Sequence, residues 1–353
     1  MHFFTPAAAF FLALALTPLM RRLAFRYGVL DHPDQRKTHG QAMPLLGGVA
    51  VYLAFWLVAG PALFYLQGNG RFWGLFLGST LILALGLYDD IRGLSYRAKF
   101  AGQFAAALIL LAFNIKIEFI TFPFQSMVFL GIFVVPLTLI WVVGVTNAVN
   151  LIDGVDGLAA GVSAIAAIVM VAYTWGEFPL LSILCLILAG AALGFLPLNF
   201  PPARIFLGDT GSLFLGFMLA GFSIMGATKQ ITLTTLFIPM LILGLPITDT
   251  FYVMWRRLKS GRPIFQADRG HIHHKLLGLG LTPRQTTIAL YLISLYFGGA
   301  AIFFHQFTRP AVLCFIPVTF FLFLLGLKHV DALTVFQRNA EGFSNRSRQQ
   351  RKG

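Results

Sequence analysis

Charge is what this sequence has least of. Of its 353 residues only 11% are Asp, Glu, Lys or Arg, against 58% apolar, whereas soluble domains carry about twice that charged fraction. A soluble globular domain of any size is excluded on that ground. Acids are scarcer still, 13 in all, so the place of each one is informative. Cysteine is nearly missing. Cys185 and Cys314 sit in separate apolar runs, which excludes a disulfide framework and any zinc spacing. A basic leader and an A-x-A cleavage site are both lacking, so the first apolar run is expected to be a retained span rather than a signal peptide. There is no RNA- or DNA-binding motif, so nucleic acid is not an expected partner. The net charge of +13 points instead to anionic membrane lipids or a phosphorylated substrate at the membrane face.

What the chain does have is long apolar runs. Eleven of them fall at roughly 3–20, 45–66, 72–89, 100–118, 127–147, 157–175, 179–197, 211–228, 234–255, 285–304 and 310–327, each about long enough to cross a bilayer as a helix. The predicted fold is all-α: a polytopic membrane protein of about eleven transmembrane helices over residues 1–330. A basic tail over 331–353, ending "FSNRSRQQRKG", is expected to be disordered, cytoplasmic and lipid-facing. Of the 26 Lys and Arg residues, 22 fall in alternate loops and the tail, and 4 in the loops between. The positive-inside rule makes the first set cytoplasmic, with the N-terminus outside and the C-terminus inside.

The polar residues gather on that same side. Asp89 and Asp90 end the third run. "TNAVNLIDGVDGLAAG" (Thr146–Gly161) links the fifth and sixth runs and carries Asn147, Asn150, Asp153 and Asp156. "RIFLGDTGSLFLG" (Arg204–Gly216) opens the eighth with Asp209, and "ADRGHIHHKLLGLG" (Ala267–Gly280) follows the ninth with His271, His273 and His274. "DHPDQRKTHGQAMPLLGG" (Asp31–Gly48) fills the first cytoplasmic loop. Each cluster has a plainer reading: solvated acids at a helix end, Asp-Gly turn punctuation, an Asp209 or Ser212 N-cap, a surface histidine cluster. All five being bland on one face is far harder to accept than any one alone.

Together they describe a chemistry. Carboxylates and amides from several helix ends suit a hard divalent cation that completes its shell with water and substrate phosphates. Glycines around Asp209 let backbone N–H groups approach an anion at a helix N-terminus. His, Lys and Arg supply donors for a diphosphate. The ensemble predicts metal-assisted phosphoryl transfer at the cytoplasmic surface.

Four stretches in this order, "LYDDIRG", "NAVNLIDGVDGLAAG", "FLGDTGSLFLG" and "RGHIHHKLLGLG", resemble the polyprenyl-phosphate N-acetylhexosamine-1-phosphate transferases (glycosyltransferase family 4) over roughly residues 1–330. Within that family "RKTHGQAMPLLGG" and "RGHIHHKLL" are similar to the bacterial undecaprenyl-phosphate N-acetylglucosamine-1-phosphate transferases. The muramoyl-pentapeptide branch typically has a lysine soon after the paired acids and an unbroken histidine triplet. Here "DDIRG" lacks the lysine and Ile272 interrupts the histidines.

The resemblance implies transfer of N-acetylglucosamine-1-phosphate from UDP-N-acetylglucosamine to undecaprenyl phosphate, with Mg²⁺ or Mn²⁺ as cofactor, in the bacterial cytoplasmic (inner) membrane. The lipid product could prime O-antigen, other lipopolysaccharide or a cell-wall polymer, and a homodimer is left open. By the same resemblance Asp209 is a metal ligand with Asn150 a second. Asp89 and Asp90 activate or position the lipid phosphate. Asp156 contacts uracil, Phe206 stacks on it, Lys99 reaches a phosphate, and Asn147 joins the substrate-binding set. His271, His273 and His274 line the diphosphate or sugar side, and Asp153 belongs to the catalytic motif without an assigned part.

Other readings stay open at this point. The donor could be another UDP-N-acetylhexosamine or UDP-N-acetylmuramoyl-pentapeptide. A cation transporter would use acids inside spans, and Asp249 in "GLPITDTFYVMW" is such an acid. A non-catalytic scaffold for lipid-linked glycans would have lost its metal ligands, which are present here.

Overall fold

A computed structural model describes residues 4–32, 42–66, 70–121, 127–227, 237–261 and 270–306. The predicted span at 310–327, Cys314, the tail at 331–353 and most of "HPDQRKTHGQ" and "ADR" lie outside them. Among the described residues the chain forms twelve α-helices and two small hairpins. The helices are α1 (Phe4–Tyr27), α2 (Gly47–Tyr65), α3 (Gly70–Arg92), α4 (Tyr96–Ala112), α5 (Val134–Ile152), α6 (Leu158–Thr174), α7 (Pro179–Asn199), α8 (Gly208–Ala227), α9 (Phe237–Ile242), α10 (Gly244–Lys259), α11 (Ile272–Gly278) and α12 (Pro283–Gln306). Strands β1 (Leu30–Asp31) and β2 (Met43–Pro44) pair antiparallel, as do β3 (Phe119–Thr121) and β4 (Met127–Phe129).

Among the described residues seven helical stretches are long and apolar enough to cross a bilayer, and α6, at 17 residues, is a shorter apolar helix. The protein is a multi-pass membrane protein. α8 is the central post: Phe214, Phe217 and Phe222 are fully buried along it, and α2, α3, α5 and α6 pack around it. Close helix approach rests on small residues, as is usual where lipid removes the hydrophobic drive between helices. On α7, a Cβ at Gly190 would lie 2.3 Å from the Pro6 carbonyl, and one at Gly194 would lie 2.1 Å from that of Phe10. Two glycines one turn apart thus admit the α1 backbone, whose buried stripe is Ala9, Ala13 and Thr17.

Three predicted spans differ in detail. The run at 100–118 ends as α4 at Ala112, because Asn114 takes a left-handed conformation (φ 60°) and Ile115 N–H returns to the Leu110 carbonyl at 2.9 Å, a helix stop of the Schellman kind. The next run, 127–147, begins as β4 and a 3-10 turn, Gly131–Phe133, and becomes helical only at Val134. The alternation of Ile115, Ile117 and Phe119 is a strand pattern that total hydropathy hides. The run at 234–255 divides into α9 and α10 at Leu243, where Gly244 and Pro246 follow closely. α10 is amphipathic: Phe251, Trp255 and Leu258 are exposed, Asp249 and Val253 are buried, and Arg256, Arg257 and Lys259 close its last turn.

Candidate active site

The C-terminal end of α3 meets the N-terminal end of α8. Gly208 (φ 71°) turns the chain into α8, and a Cβ there would lie 2.6 Å from Asp90 Oδ2. In that space Asp90 accepts the Asp209 N–H (2.9 Å), the Thr210 N–H (3.0 Å) and the Thr210 hydroxyl (2.6 Å). Asp90 is therefore the N-cap of α8, supplied from another helix, and it meets the positive end of the helix dipole. Neither Asp209 nor Ser212 does that work; the Ser212 hydroxyl bonds back to the Gly208 carbonyl at 2.9 Å. The Asp209 side chain is left to face the cavity.

Asp89 ends the same turn of α3. Gly93 (φ 71°) reverses the chain into α4, which Ser95 caps by accepting the Ala98 N–H. This brings Lys99 back over α3, where its ammonium bridges Asp89 Oδ2 and Asp209 Oδ2. Asp89 Oδ1 accepts the Leu94 N–H at 2.5 Å. Asn150, from the last turn of α5, donates to Asp209 Oδ1 at 2.7 Å and to Ser212 at 2.9 Å.

The turn between α5 and α6 carries Asp153 and Asp156, with Gly157 left-handed (φ 75°) at its end. Asp156 Oδ2 accepts the Ala203 N–H at 2.9 Å. This ties the turn to the 200–207 segment that presents Phe206. That segment is in turn fastened to the first loop: Phe206 N–H donates to the Pro44 carbonyl (2.8 Å), while Gly47 and Gly48 N–H groups donate to the Phe206 and Leu207 carbonyls (3.2 and 2.9 Å). Burial pushes the Asp153 carboxyl well above the usual carboxylate range, and the charges of Asp209, Asp90 and Asp156 add to it.

These pieces enclose a cavity of about 500 Å³ lined by Asp89, Asp90, Asn150, Asp153, Asp156, Phe206, Asp209 and His274. A profile for glycosyl transferase family 4 matches residues 72–227, from the start of α3 to the end of α8. A "probable undecaprenyl-phosphate N-acetylglucosaminyl 1-phosphate transferase" of Bacillus subtilis is 41% identical over 292 residues, 82% of this chain and 81% of that protein. The chain belongs to glycosyl transferase family 4. Family 4 relatives also include a Mycolicibacterium smegmatis "decaprenyl-phosphate N-acetylglucosaminephosphotransferase", 33% identical over 82% of this chain and 79% of its own. An "undecaprenyl-phosphate alpha-N-acetylglucosaminyl 1-phosphate transferase" of Thermotoga maritima is 31% identical over 88% and 94%.

The histidines lie beyond the family 4 match. Asp249 of α10, 2% exposed, holds His271 Nδ1 at 2.7 Å with one oxygen and accepts the Ile272 N–H at 2.8 Å with the other. It fixes both a ring and the start of α11. His271 stacks on His273 at 5.6 Å, and His273 lies 4.3 Å from His274, which reaches the cavity. His273 packs against Gly154, where a Cβ would lie 2.3 Å from its Nε2. Burial, reinforced by His274, lowers the pKa of His273 to about 3, so this ring is neutral.

Not every expected residue lines the cavity of this family 4 protein. His271 and His273 stand behind His274, and Lys99 meets the site through Asp89 and Asp209. Asn147 is turned aside: its Nδ2 donates to Gln103 and to the Val143 carbonyl (2.9 Å), joining α4 to α5. Asp90 lines the wall but commits both oxygens to α8. Three residues went unassigned in the sequence. Asp31 lines the cavity from β1, though nothing in its polar loop singles it out. Asn199, 2% exposed, donates to the Ile205 carbonyl at 3.0 Å and leaves its Oδ1 without a partner in the cavity wall; an amide closing the apolar run of α7 was the available signal. Asp249 was visible as an intramembrane acid but its partner was not.

Proposed function

We propose that this family 4 member transfers N-acetylglucosamine-1-phosphate from UDP-N-acetylglucosamine to undecaprenyl phosphate at the cytoplasmic face of a bacterial inner membrane, starting a cell-surface polysaccharide. The observation that carries the reading is the position of the cavity: six carboxylates, two asparagines and a histidine gathered where bilayer-length helices end. A lipid phosphate can meet a water-soluble donor only at such a boundary. An oxygen of the lipid phosphate attacks the phosphorus that bears the sugar. The bond from that phosphorus to the oxygen bridging it to the nucleotide phosphate breaks, and UMP leaves. The names of the Bacillus subtilis and Thermotoga maritima relatives support the same acceptor and sugar.

The donor set suits Mg²⁺ or Mn²⁺. The carboxylates and asparagine carbonyls of the lining are hard oxygens, and Lys99 is the cation between two of the carboxylates. Mg²⁺ takes one or two protein carboxylates and completes its shell with water and substrate oxygens. Asp209 and the Asn150 carbonyl would hold it, and once bound it supplies charge neutralisation for the diphosphate. Asp89 and Lys99 place the incoming lipid phosphate. Asp156 and Phe206 take the nucleoside end, and His274, backed by His273 and His271, faces the sugar diphosphate. The transporter reading loses its main support, since Asp249 is committed to His271 and Ile272. The test is UMP release by purified protein with undecaprenyl phosphate and a panel of UDP-sugars. N-acetylglucosamine should turn over fastest; faster release from UDP-N-acetylmuramoyl-pentapeptide overturns the donor, and no release from any overturns the function.

A further inference from the structure

α12 lies beyond the matched family segment, yet its side chains reach both loops that shape the nucleoside end of the cavity. The Thr287 hydroxyl donates to the Asp156 carbonyl at 3.1 Å, and the Tyr291 hydroxyl donates to the Gly157 carbonyl at 2.6 Å. Both carbonyls belong to the turn that leads into α6. Tyr291 can come this close only because Gly161 has no side chain. A Cβ there would lie 2.1 Å from the tyrosine ring and hydroxyl, which gives the last glycine of "NLIDGVDGLAAG" its reason. The Arg284 guanidinium lies 5.7 Å over the Phe200 ring, at the head of the segment that delivers Phe206. Asp156 closes the triangle through Ala203.

None of these α12 side chains lines the cavity, so they act at one remove. We propose that Thr287 and Tyr291 are positioning residues for the nucleotide donor, holding the 153–157 turn at the height that points Asp156 and Phe206 into the site. The inference rests on the function proposed above. A turn crowded with acids and glycines has few bonds of its own to hold it. Left loose, it must be ordered at the moment of binding, and that cost falls on affinity. Fixed from behind by two hydroxyls, it is ordered beforehand. The groups placed at the lipid phosphate and the metal, Asp89, Asn150 and Asp209, stand on α3, α5 and α8, whereas the two hydroxyls bond to Asp156 and Gly157.

Tyr291→Phe keeps the ring over Gly161 and removes one hydrogen bond; Thr287→Val does the same for its partner. UDP binding to the purified full chain is measured by isothermal titration, and KM is then measured separately for UDP-N-acetylglucosamine and undecaprenyl phosphate. Each variant should weaken UDP about tenfold, the worth of one buried hydrogen bond. Donor KM should rise by a similar factor, with kcat and acceptor KM within about twofold of wild type. Gly161→Ala, which pushes Tyr291 off the turn, should match Tyr291→Phe. Thr287→Ser, which restores the hydroxyl, should bind UDP as wild type does. Wild-type UDP affinity in Tyr291→Phe and Thr287→Val overturns the inference, as does a Thr287→Ser protein as weak as Thr287→Val. A wild-type protein that binds no UDP overturns the proposed function instead, so the two failures are distinct.

Discussion

Asp90 and Asp209 invite a matched experiment, because each can lose one charge at constant shape and the structure expects opposite results. Asp90 holds the first turn of α8 with three hydrogen bonds. Asp90→Asn retains one acceptor oxygen and places an NH₂ where the other stood, opposite a backbone N–H. The loss is one charge-assisted hydrogen bond, about 1.5–3 kcal/mol, together with a charge at the positive helix end, about 0.5–1 kcal/mol. A total near 2–4 kcal/mol should lower the melting temperature of the detergent-solubilised protein by several degrees. Asp209→Asn leaves every backbone bond of α8 in place, and Lys99 keeps Asp89. Its melt should stay closer to wild type than that of Asp90→Asn, the loss being the Lys99 ion pair alone, while UMP release falls about 10²-fold or more, equivalent to about 2.7 kcal/mol of transition-state stabilisation. Intrinsic tryptophan fluorescence on heating, beside UMP release across a Mg²⁺ titration, reads both. An early-melting Asp209→Asn protein with a wild-type-like Asp90→Asn melt would refute the assignment of the cap. Full activity in a well-folded Asp209→Asn protein would refute the metal ligand.

Asp249→Asn keeps an acceptor for the Ile272 N–H but can hold His271 Nδ1 only in the opposite tautomer and without a charge, so UMP release should fall about tenfold or more through lost placement of His271, read as kcat. Asp153 is predicted to cost stability: its raised pKa means the folded state holds the proton more tightly than the unfolded chain, so stability declines as pH rises above the ordinary carboxylate value. Asp153→Asn should therefore melt higher than wild type near pH 8 in metal-free buffer and match it near pH 4, to be checked by parallel melts at about those two values. Chelation with EDTA should abolish UMP release, and Mg²⁺ or Mn²⁺ should restore it; undiminished release in EDTA would remove the metal from the proposal.

Much of the site could be read before the fold because membrane helices leave acids nowhere to be ordinary. Asp89, Asn150, Asp153, Asp156 and Asp209 each close or open an apolar run, and run ends on one side of a bilayer are forced together. The division of labour was not readable in this way. Asp90 differs from Asp89 by one position, about 100° around the helix, and only the meeting of α3 with α8 gives it a cap to make. Asn147 and Asn150 are one turn apart, yet one joins α4 to α5 and the other holds Asp209. Tyr291 and Thr287 sit in an apolar run and look like core until α6 is placed against them. The break at Asn114 and the strand at Phe119 escaped because hydropathy sums residues without regard to their period.

The seam between α1 and α7 sets a condition on how the protein is made. Helices enter the membrane in the order of synthesis, so α1 arrives first, while the glycines that receive it, Gly190 and Gly194, follow only after five intervening helices. The seat that α7 takes is therefore prepared in advance: α1 packs on α2, and α7 completes the seam when it arrives against α1, α2 and α6. A chain interrupted before α7 would leave the α1 backbone at Pro6 and Phe10 without the glycines that receive it, an open seam by which membrane proteases could tell an unfinished copy from a complete one.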